Sequence, residues 1–385
     1  MQRTIYVDNS ATTSVDSRVI AEMLPFFEQG YGNASTIYTI GQNSKMAIEK
    51  ARGQVAFALG CLPEEIFFTS GGTESDNWAI IGTVDANTTK GKHIITSAIE
   101  HHAVLDTCKY LQKKGYEITY LPVDKDGLVS VDDLKKAIRK DTILISIMFA
   151  NNEIGTIQPI EKIGEIARQN GIPFHTDAVQ AVGNIPIDLS KLPVDMLSLS
   201  AHKFRGPKGV GVLYVKKGIK LEPFMHGGGQ ERKKRAGTEN VPGIVGLGKA
   251  IELACKDIDA KSKKLIALRE RLITGIMKNI EDVRINGHRE QRLPGNANFS
   301  FAKVEGESIL LLLDSKGICA SSGSACTSGS LDPSHVLLAI GLSHEVAHGS
   351  VRFTLSDRNT EDDVDYIIEV MPEIIKKLRE MSPLK

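Results

Sequence analysis

The chain has 385 residues, which is enough for two domains and a large apolar core. Its 47 Lys and Arg residues balance 47 Asp and Glu residues, so no net charge favours nucleic acid or an acidic lipid surface as a direct partner. The amino terminus lacks the apolar core of a signal peptide, and no apolar run is long enough to cross a membrane. We therefore expect a cytoplasmic protein.

Apolar runs typical of strands alternate with helical patterns over the first half of the chain. The predicted strands are 66–69, 92–97, 117–123, 142–150, 172–177, 196–200 and 209–215, and the predicted helices begin at Thr73 or cover 102–114, 131–139 and 160–169. This alternation favours a mostly parallel sheet with helices on both faces. We place the corresponding large domain at residues 14–260.

The last third of the chain has a different pattern. A long helical region over 241–279 precedes predicted strands at 296–302 and 351–356 and predicted helices at 305–316, 334–340 and 360–381. This pattern indicates a smaller α/β domain over residues 261–385. We expect residues 1–13 to pack on it.

The first predicted strand of the large domain ends in a glycine turn, Ser70-Gly71-Gly72-Thr73, that opens a helix. Such a helix N-terminus directs N–H groups and the helix dipole at an anion, and a glycine lets the backbone approach a phosphate. The alternative is an ordinary capping box with Ser70 or Thr73 as the cap, which is compatible with phosphate binding. The glycine patterns of nucleoside triphosphate and dinucleotide sites do not occur.

Two later segments fit a cofactor that carries an aldehyde and a pyridine ring. Lys203 follows an apolar run and precedes a glycine-rich turn, and Schiff-base chemistry needs such a fixed amine beside phosphate donors. The alternative is that Lys203 is an ordinary surface lysine with no role in cofactor attachment. Asp177 ends a predicted strand, where a carboxylate can keep a pyridine nitrogen protonated, and Gln180 can reach a ring substituent. The alternative is that Asp177 caps the next helix.

The five cysteines are Cys61, Cys108, Cys255, Cys319 and Cys326. They form neither a disulfide framework nor a Cys-x-x-Cys metal pattern. We expect Cys108 in the core, structural roles for Cys61 and Cys255, and burial of Cys319 in its apolar segment. Cys326 lies among small polar residues typical of an exposed, mobile loop. Because an exposed thiol is prone to oxidation, its presence there suggests a functional role. The local pattern leaves a functional and a passive Cys326 equally open.

A series of motifs resembles those of the NifS/IscS-type cysteine desulfurases, a class-V aminotransferase branch of the fold-type I pyridoxal-phosphate enzymes. They are residues 6–13, 69–77, 100–104, 151–155, 175–180, 200–209, 227–231, 235–238, 321–327 and 351–353. The resemblance implies the α/β fold of a pyridoxal-phosphate-dependent transferase of fold type I. Its large domain would have a mostly parallel, seven-stranded sheet, followed by the smaller C-terminal α/β domain.

The resemblance also implies a role for each site residue. Lys203 would hold pyridoxal 5'-phosphate and shuttle a proton, Asp177 would pair with the ring nitrogen, and His101 would stack on the ring and assist proton transfer. Asn152 and Gln180 would contact the ring hydroxyl and the substrate side, and Arg352 would bind the substrate carboxylate through its bidentate fork. The phosphate would be held by Gly72, Thr73, Ser200 and His202, joined by Thr238 of the partner subunit in a homodimer.

The implied reaction is removal of sulfur from L-cysteine to give L-alanine and a Cys326 persulfide. The sulfur acceptor would be an iron–sulfur scaffold or a tRNA-thiolation protein. No intrinsic metal is expected, although Cys326 could share ligation of an iron–sulfur cluster with a scaffold partner. Selenocysteine lysis or another pyridoxal-phosphate-dependent aminotransfer or lyase reaction would use the same cradle, and a scaffold without chemistry is a further alternative.

The chain departs from the family pattern at Ala34, Tyr38, Asp76 and Arg205. None of these residues has an implied role in the chemistry. Tyr38 and Arg205 leave it open whether the substrate entrance is the same as in the family. The basic run 231–235 is more typical of a solvated loop than of a nucleic-acid site. It follows three glycines, which suggests an active-site or dimer loop.

Overall fold

The computed structural model describes residues 4–322 and 333–382. Its helices are α1 (Ser17–Met23), α2 (Pro25–Glu28), α3 (Thr39–Leu59), α4 (Gly72–Ala86), α5 (His102–Lys113), α6 (Val131–Ala137), α7 (Ile160–Gln169), α8 (Gln230–Lys233), α9 (Val241–Cys255), α10 (Ile258–Asn279), α11 (Gly306–Ser315), α12 (His335–Ala339), α13 (His344–His348) and α14 (Glu361–Met381). Its strands are β1 (Ile5–Tyr6), β2 (Ile66–Thr69), β3 (His93–Ser97), β4 (Glu117–Leu121), β5 (Thr142–Ser146), β6 (Phe174–Asp177), β7 (Met196–Ser200), β8 (Gly211–Val215), β9 (Val283–Asn286), β10 (Asn296–Phe301), β11 (Ile318–Cys319) and β12 (Ser350–Thr354).

The central feature is a seven-stranded sheet with the order β2-β8-β7-β6-β5-β3-β4. All its strands run in one direction except β8, which is antiparallel to both of its neighbours. Strands β3, β5, β6 and β7 are buried along their whole length, as expected of parallel strands covered on both faces by helices. The predicted fold class is therefore confirmed.

A smaller α/β unit follows, built on the antiparallel sheet β12-β10-β9. The amino-terminal strand β1 pairs with β11, and Ile5 and Val7 are buried in the same apolar cluster as Phe299 and Phe353. The amino terminus thus packs on the smaller unit, as expected. The boundaries at 13/14 and 260/261 stay predictions.

Two of the predicted elements differ most from the structure. The predicted helical region 241–279 is two helices, because Asp257 adopts a left-handed φ of 55° between α9 and α10. The predicted strand 142–150 ends at Ser146, and beyond it the Met148 N–H donates to a side chain, the carboxylate of Glu100.

Among residues 4–322 and 333–382, none of the helices combines the length and the apolar character that crossing a bilayer requires.

Candidate active site

The site residues lie at the edge of the sheet where the carboxyl ends of its parallel strands meet. Strand β2 leads into Gly71 and Gly72, β6 ends at Asp177, and β7 ends at Ser200, three residues before Lys203. Ligands of open α/β sheets bind at this edge. The fold therefore brings the predicted phosphate cradle, the carboxylate and the lysine to one place.

The cradle is formed by the start of α4. Gly71 is the N-cap residue, so the alternative of a capping box with Ser70 or Thr73 as the cap does not hold, and no side chain of the described residues caps the helix. Gly71 has a φ of 154°, which favours glycine, and a Cβ on Gly72 would lie 2.7 Å from a methyl group of Val179. The uncapped turn and its glycines fit a phosphate group.

Lys203 lies against the amino-terminal segment. Its Nζ donates to the carbonyl oxygens of Ser10 at 2.5 Å and Ala11 at 2.9 Å. The side-chain amide of Gln180 donates to the same Ser10 carbonyl at 3.0 Å, so Lys203 and Gln180 meet there. Ser10 and Ala11 belong to the family motif 6–13, but no sequence pattern indicated that their carbonyl groups bind Lys203.

His202 is held by the same segment. Its Nδ1 is 3.1 Å from the Thr12 hydroxyl, and its carbonyl accepts a hydrogen bond of 2.8 Å from Thr13. Burial, aided by the charge of Lys203, lowers the pKa of His202 to about 4. In the ligand-free chain His202 is therefore biased toward the neutral form, whose ring can still donate or accept a hydrogen bond.

Asp177 is buried at the end of β6. One of its oxygens accepts a 2.9 Å hydrogen bond from the Val179 N–H, so it does cap the following turn locally. Burial raises the pKa of Asp177, while the neighbouring His101 and Lys203 oppose that rise. A cationic group beside Asp177 would favour its carboxylate form, as a protonated pyridine nitrogen does.

A polar network that the sequence did not reveal surrounds Asp177. His175, two residues earlier on β6, contacts the hydroxyls of Ser146 and Ser198 at 2.9 Å each. Its Nε2 lies 3.6 Å from Oδ1 of Asp76, one of the positions that depart from the family. Burial lowers the pKa of His175 to about 3 and, with the charge of Asp177, raises that of Asp76. Both groups are therefore biased toward their neutral forms.

His101 is the N-cap residue of α5, and its Nδ1 accepts a 3.1 Å hydrogen bond from the Ala103 N–H. The preceding residue, Glu100, is fully buried and accepts hydrogen bonds from the Ser97 hydroxyl at 2.6 Å and from the Met148 N–H at 2.9 Å. Glu100 thus ties the His101 turn to β3 and to the segment after β5.

Arg352 lies on β12 with only 2% of its side chain exposed. Its Nη1 donates to the Asn152 carbonyl at 2.9 Å and its Nη2 to the Asp8 carboxylate at 2.7 Å. Its buried Nε has no hydrogen-bond partner among the residues that the structure describes. Arg352 and the Asn152 backbone are therefore in contact, and one buried N–H of Arg352 remains for a carboxylate. Asp8 is a contact that sequence reasoning missed.

Of the two remaining predicted site residues, the structure describes only Thr238. Thr238 is exposed, and its neighbour Gly237 hydrogen-bonds to Gln230 within the same loop. Cys326 lies outside the described residues.

The other cysteines mostly follow expectation. Cys108 is buried in the core, as predicted, while Cys61 and Cys255 are half-buried and pack against the large apolar cluster. The expected burial of Cys319 is wrong, because it is only half-buried. In the β1–β11 pairing Ile318 lies opposite buried Ile5, and the alternation of a strand places Cys319 on the other face.

The structure locates the other positions that depart from the family pattern. Ala34 is buried in the core, and Tyr38 is exposed at the start of α3. Arg205 has a φ of 66° and forms ion pairs with Asp357 at 2.5 Å and with Asp16 at 3.9 Å. Arg205 thus connects the lysine turn to the segment after β12.

The chain matches the model of the aminotransferase class-V family over residues 5–367. It is 62% identical to "Cysteine desulfurase IscS" of Methanosarcina thermophila over 99% of this chain and 94% of that protein. It is 57% identical to the protein of the same name from Clostridium botulinum, over 100% and 97% of the two chains.

Solved structures agree. A "NIFS-like protein" superposes with a TM-score of 0.92 at 43% identity, covering 98% of this chain and 100% of the other. "SspA in complex with cysteine" superposes with a TM-score of 0.83 at 38% identity, covering 93% and 100%. The resemblance inferred from the motifs is confirmed: the chain belongs to the class-V aminotransferase family of pyridoxal-phosphate enzymes and, within it, to the cysteine desulfurases.

Proposed function

We propose that this chain removes the sulfur of L-cysteine, leaving L-alanine and a persulfide on Cys326. The observation that carries the proposal is one sheet edge that joins a glycine cradle, Asp177 and Lys203 with the buried fork of Arg352. An amino-acid substrate needs a group that binds its carboxylate and a cofactor that reacts at its Cα. The residues at this edge would provide the first and hold the second. A relative that was solved with cysteine supports the choice of substrate.

The residues present fit pyridoxal 5'-phosphate. Gly72, Thr73, Ser200 and His202 would hold its phosphate, Asp177 its ring nitrogen, and Asn152 and Gln180 its ring hydroxyl and the substrate side. When bound, this cofactor supplies an electron sink for charge that develops at the substrate Cα. Lys203 takes the Cα proton, and His101 assists proton transfer from its fixed position at the start of α5.

Arg352 would bind the substrate carboxylate through its buried Nε–H. The contacts with Asp8 and Asn152 fix the plane of the guanidinium group before substrate arrives. A preformed, desolvated donor of this kind is stronger than a flexible surface arginine.

Cys326 would attack the substrate sulfur as a thiolate. A sulfur–sulfur bond forms, the bond between the substrate sulfur and Cβ breaks, and protons from Lys203 and water complete alanine. The persulfide sulfur then passes to an acceptor, for which we propose an iron–sulfur scaffold or a tRNA-thiolation protein in the cytoplasm. Shared ligation of an iron–sulfur cluster by Cys326 belongs to the same proposal.

We also propose a homodimer that shares its active sites. A set of large apolar side chains near α1, α2 and α3 is exposed: Leu24, Phe27, Tyr31, Ile37, Tyr38 and Met46. Exposed apolar patches of this kind mark interaction sites. In such a dimer Thr238 of the partner subunit would complete the phosphate site. Light scattering that shows an active monomer would contradict this arrangement.

The experiment is to incubate the protein, loaded with pyridoxal 5'-phosphate, with L-cysteine and a thiol reductant. We expect equal amounts of alanine and sulfide. Amino transfer to a keto acid without sulfide would favour a plain aminotransferase, and turnover of selenocysteine alone would favour a selenocysteine lyase. Either result would contradict the proposal, as would a protein that binds no cofactor.

A further inference from the structure

Three consecutive residues other than glycine adopt left-handed backbone conformations. The φ angles are 41° for Glu231, 57° for Arg232 and 66° for Lys233. Residues that carry a Cβ have a strained backbone at these φ angles, and such residues usually occur singly rather than in runs. Such a run persists only where the surroundings hold it in place. The basic run 231–235 therefore has a defined backbone conformation, although Arg232 and Lys233 are exposed.

A buried ion pair holds the start of this turn. Arg52 of α3 donates to both oxygens of Glu231, with distances of 2.9 Å from Nη1 and 2.7 Å from Nη2. Only 4% of each side chain is exposed. The Phe68 N–H donates to the same carboxylate at 2.9 Å. Three charge-assisted hydrogen bonds in a dry environment are a strong restraint.

The turn is also fastened to the edge strand β2. Arg52 and Arg232 both donate to the Ile66 carbonyl, at 2.8 and 2.6 Å. The Arg232 guanidinium lies 4.2 Å from the centre of the Phe67 ring. These contacts satisfy backbone groups of an edge strand, and they link the turn to the strand that leads into Gly72.

The far end of the turn is tied to the phosphate cradle itself. Arg235 donates to both oxygens of Glu74, at 2.8 and 3.0 Å, and Glu74 lies in the first turn of α4. The Ser70 N–H donates to the same carboxylate at 2.8 Å. Thr238 lies only three residues after Arg235 in the chain, so both attachments are close to it in sequence.

We propose that the Arg52–Glu231 pair is a clamp that holds residues 231–233 in their left-handed turn and thereby positions Thr238 for the cofactor phosphate. Arg52 and Glu231 are positioning residues, because they reach the phosphate site only through the turn. The inference rests on the proposed function, since the role of Thr238 comes from family resemblance. The clamp couples phosphate binding to a loop that would lie at the subunit interface.

The test compares two ligands of the apoprotein, pyridoxal 5'-phosphate and pyridoxal, which lacks the phosphate. Glu231→Gln keeps the side-chain shape and removes the charge. We expect it to weaken pyridoxal 5'-phosphate binding about tenfold or more, as expected for loss of charge-assisted hydrogen bonds, and to leave pyridoxal binding unchanged. Asp365→Asn breaks an exposed bidentate pair with Arg271 and is the matched control, expected to change neither.

Relief of the strain gives an independent readout. Lys233 is exposed, and glycine adopts its φ without strain, so Lys233→Gly should restore part of the affinity that Glu231→Gln loses. Arg52→Lys keeps the charge but loses the fork, and it replaces Glu231→Gln if that variant does not fold.

Equal losses for both ligands, no loss at all, or no rescue by Lys233→Gly would overturn the clamp. A wild-type protein that binds pyridoxal as tightly as its phosphate would instead refute the cradle and the proposed function. A wild type with normal preference and an unaffected Glu231→Gln variant would refute the clamp alone.

Discussion

Glu100 should make the protein less stable as the pH rises, and Glu100→Gln should remove that dependence. The side chain is fully buried, its Oε1 accepts two hydrogen bonds, and its Oε2 has no partner among the described residues. Burial raises the pKa of Glu100 from 4.5 to about 8. The folded protein therefore prefers the protonated acid, which a glutamine side chain imitates.

The sign and size of the effect follow from linkage. Because the pKa is higher in the folded than in the unfolded chain, the stabilisation is fully present below pH 4.5 and is lost as the pH rises through about 8. Between pH 5 and pH 8 the wild type should lose about 3 kcal/mol of unfolding free energy through this one group. The Gln variant should not lose this contribution.

The assay is urea unfolding of both apoproteins at pH 5, 6, 7 and 8, with the difference between their unfolding free energies as the observable. We expect that difference to shift in favour of the variant as the pH rises. Glu307→Gln, which replaces an exposed glutamate at the start of α11, is the control and should track the wild type. Stability curves of wild type and Glu100→Gln that stay parallel over this range would refute the reasoning.

Three further substitutions test the site. Lys203→Ala should abolish the absorbance of lysine-bound cofactor while pyridoxal 5'-phosphate still binds through its phosphate, as equilibrium dialysis would show; an unchanged spectrum would contradict the assignment. Arg352→Lys should raise the KM for cysteine about tenfold or more with little change in cofactor affinity, because lysine lacks the Nε–H and cannot keep both contacts that fix it; an unchanged KM would exclude Arg352 from substrate binding. Gly72→Ala should weaken pyridoxal 5'-phosphate binding in equilibrium dialysis, because its Cβ would lie 2.7 Å from Val179. The control is Gly53→Ala in α3, whose Cβ would meet nothing within 4 Å. We expect it to raise the free energy of unfolding in urea by about 1 kcal/mol. Equal cofactor affinity in the two glycine variants would contradict the cradle.

The parts of the site that the sequence predicts are those with local signals. Gly72, Asp177 and Lys203 each stand where a strand ends and a turn begins, and parallel strands bring such positions to one edge. Alternating patterns likewise located most strands of the main sheet to within a few residues.

The parts that sequence reasoning missed depend on contacts between distant segments. Arg52 and Glu231 are 179 residues apart, and Arg352 and Asp8 are 344 apart, so no local pattern announces either pair. The buried face of helix α3 includes polar residues such as Ser44 and Arg52, which a pattern of apolar residues does not identify. A charged residue in a sequence is normally predicted to be exposed, and its burial can be recognised only when its ion-pair partner is known.

The most direct test of the central claim is the fate of sulfur in Cys326→Ser, with Cys319→Ser as the matched control. A serine hydroxyl is scarcely ionised near neutral pH and cannot replace a thiolate as nucleophile. We therefore predict that Cys326→Ser keeps its cofactor and binds cysteine but forms alanine and sulfide orders of magnitude more slowly, and that only Cys319→Ser and the wild type gain the mass of a sulfur atom after exposure to cysteine. Alanine production by Cys326→Ser at the wild-type rate, or a persulfide located on Cys319, would contradict the account.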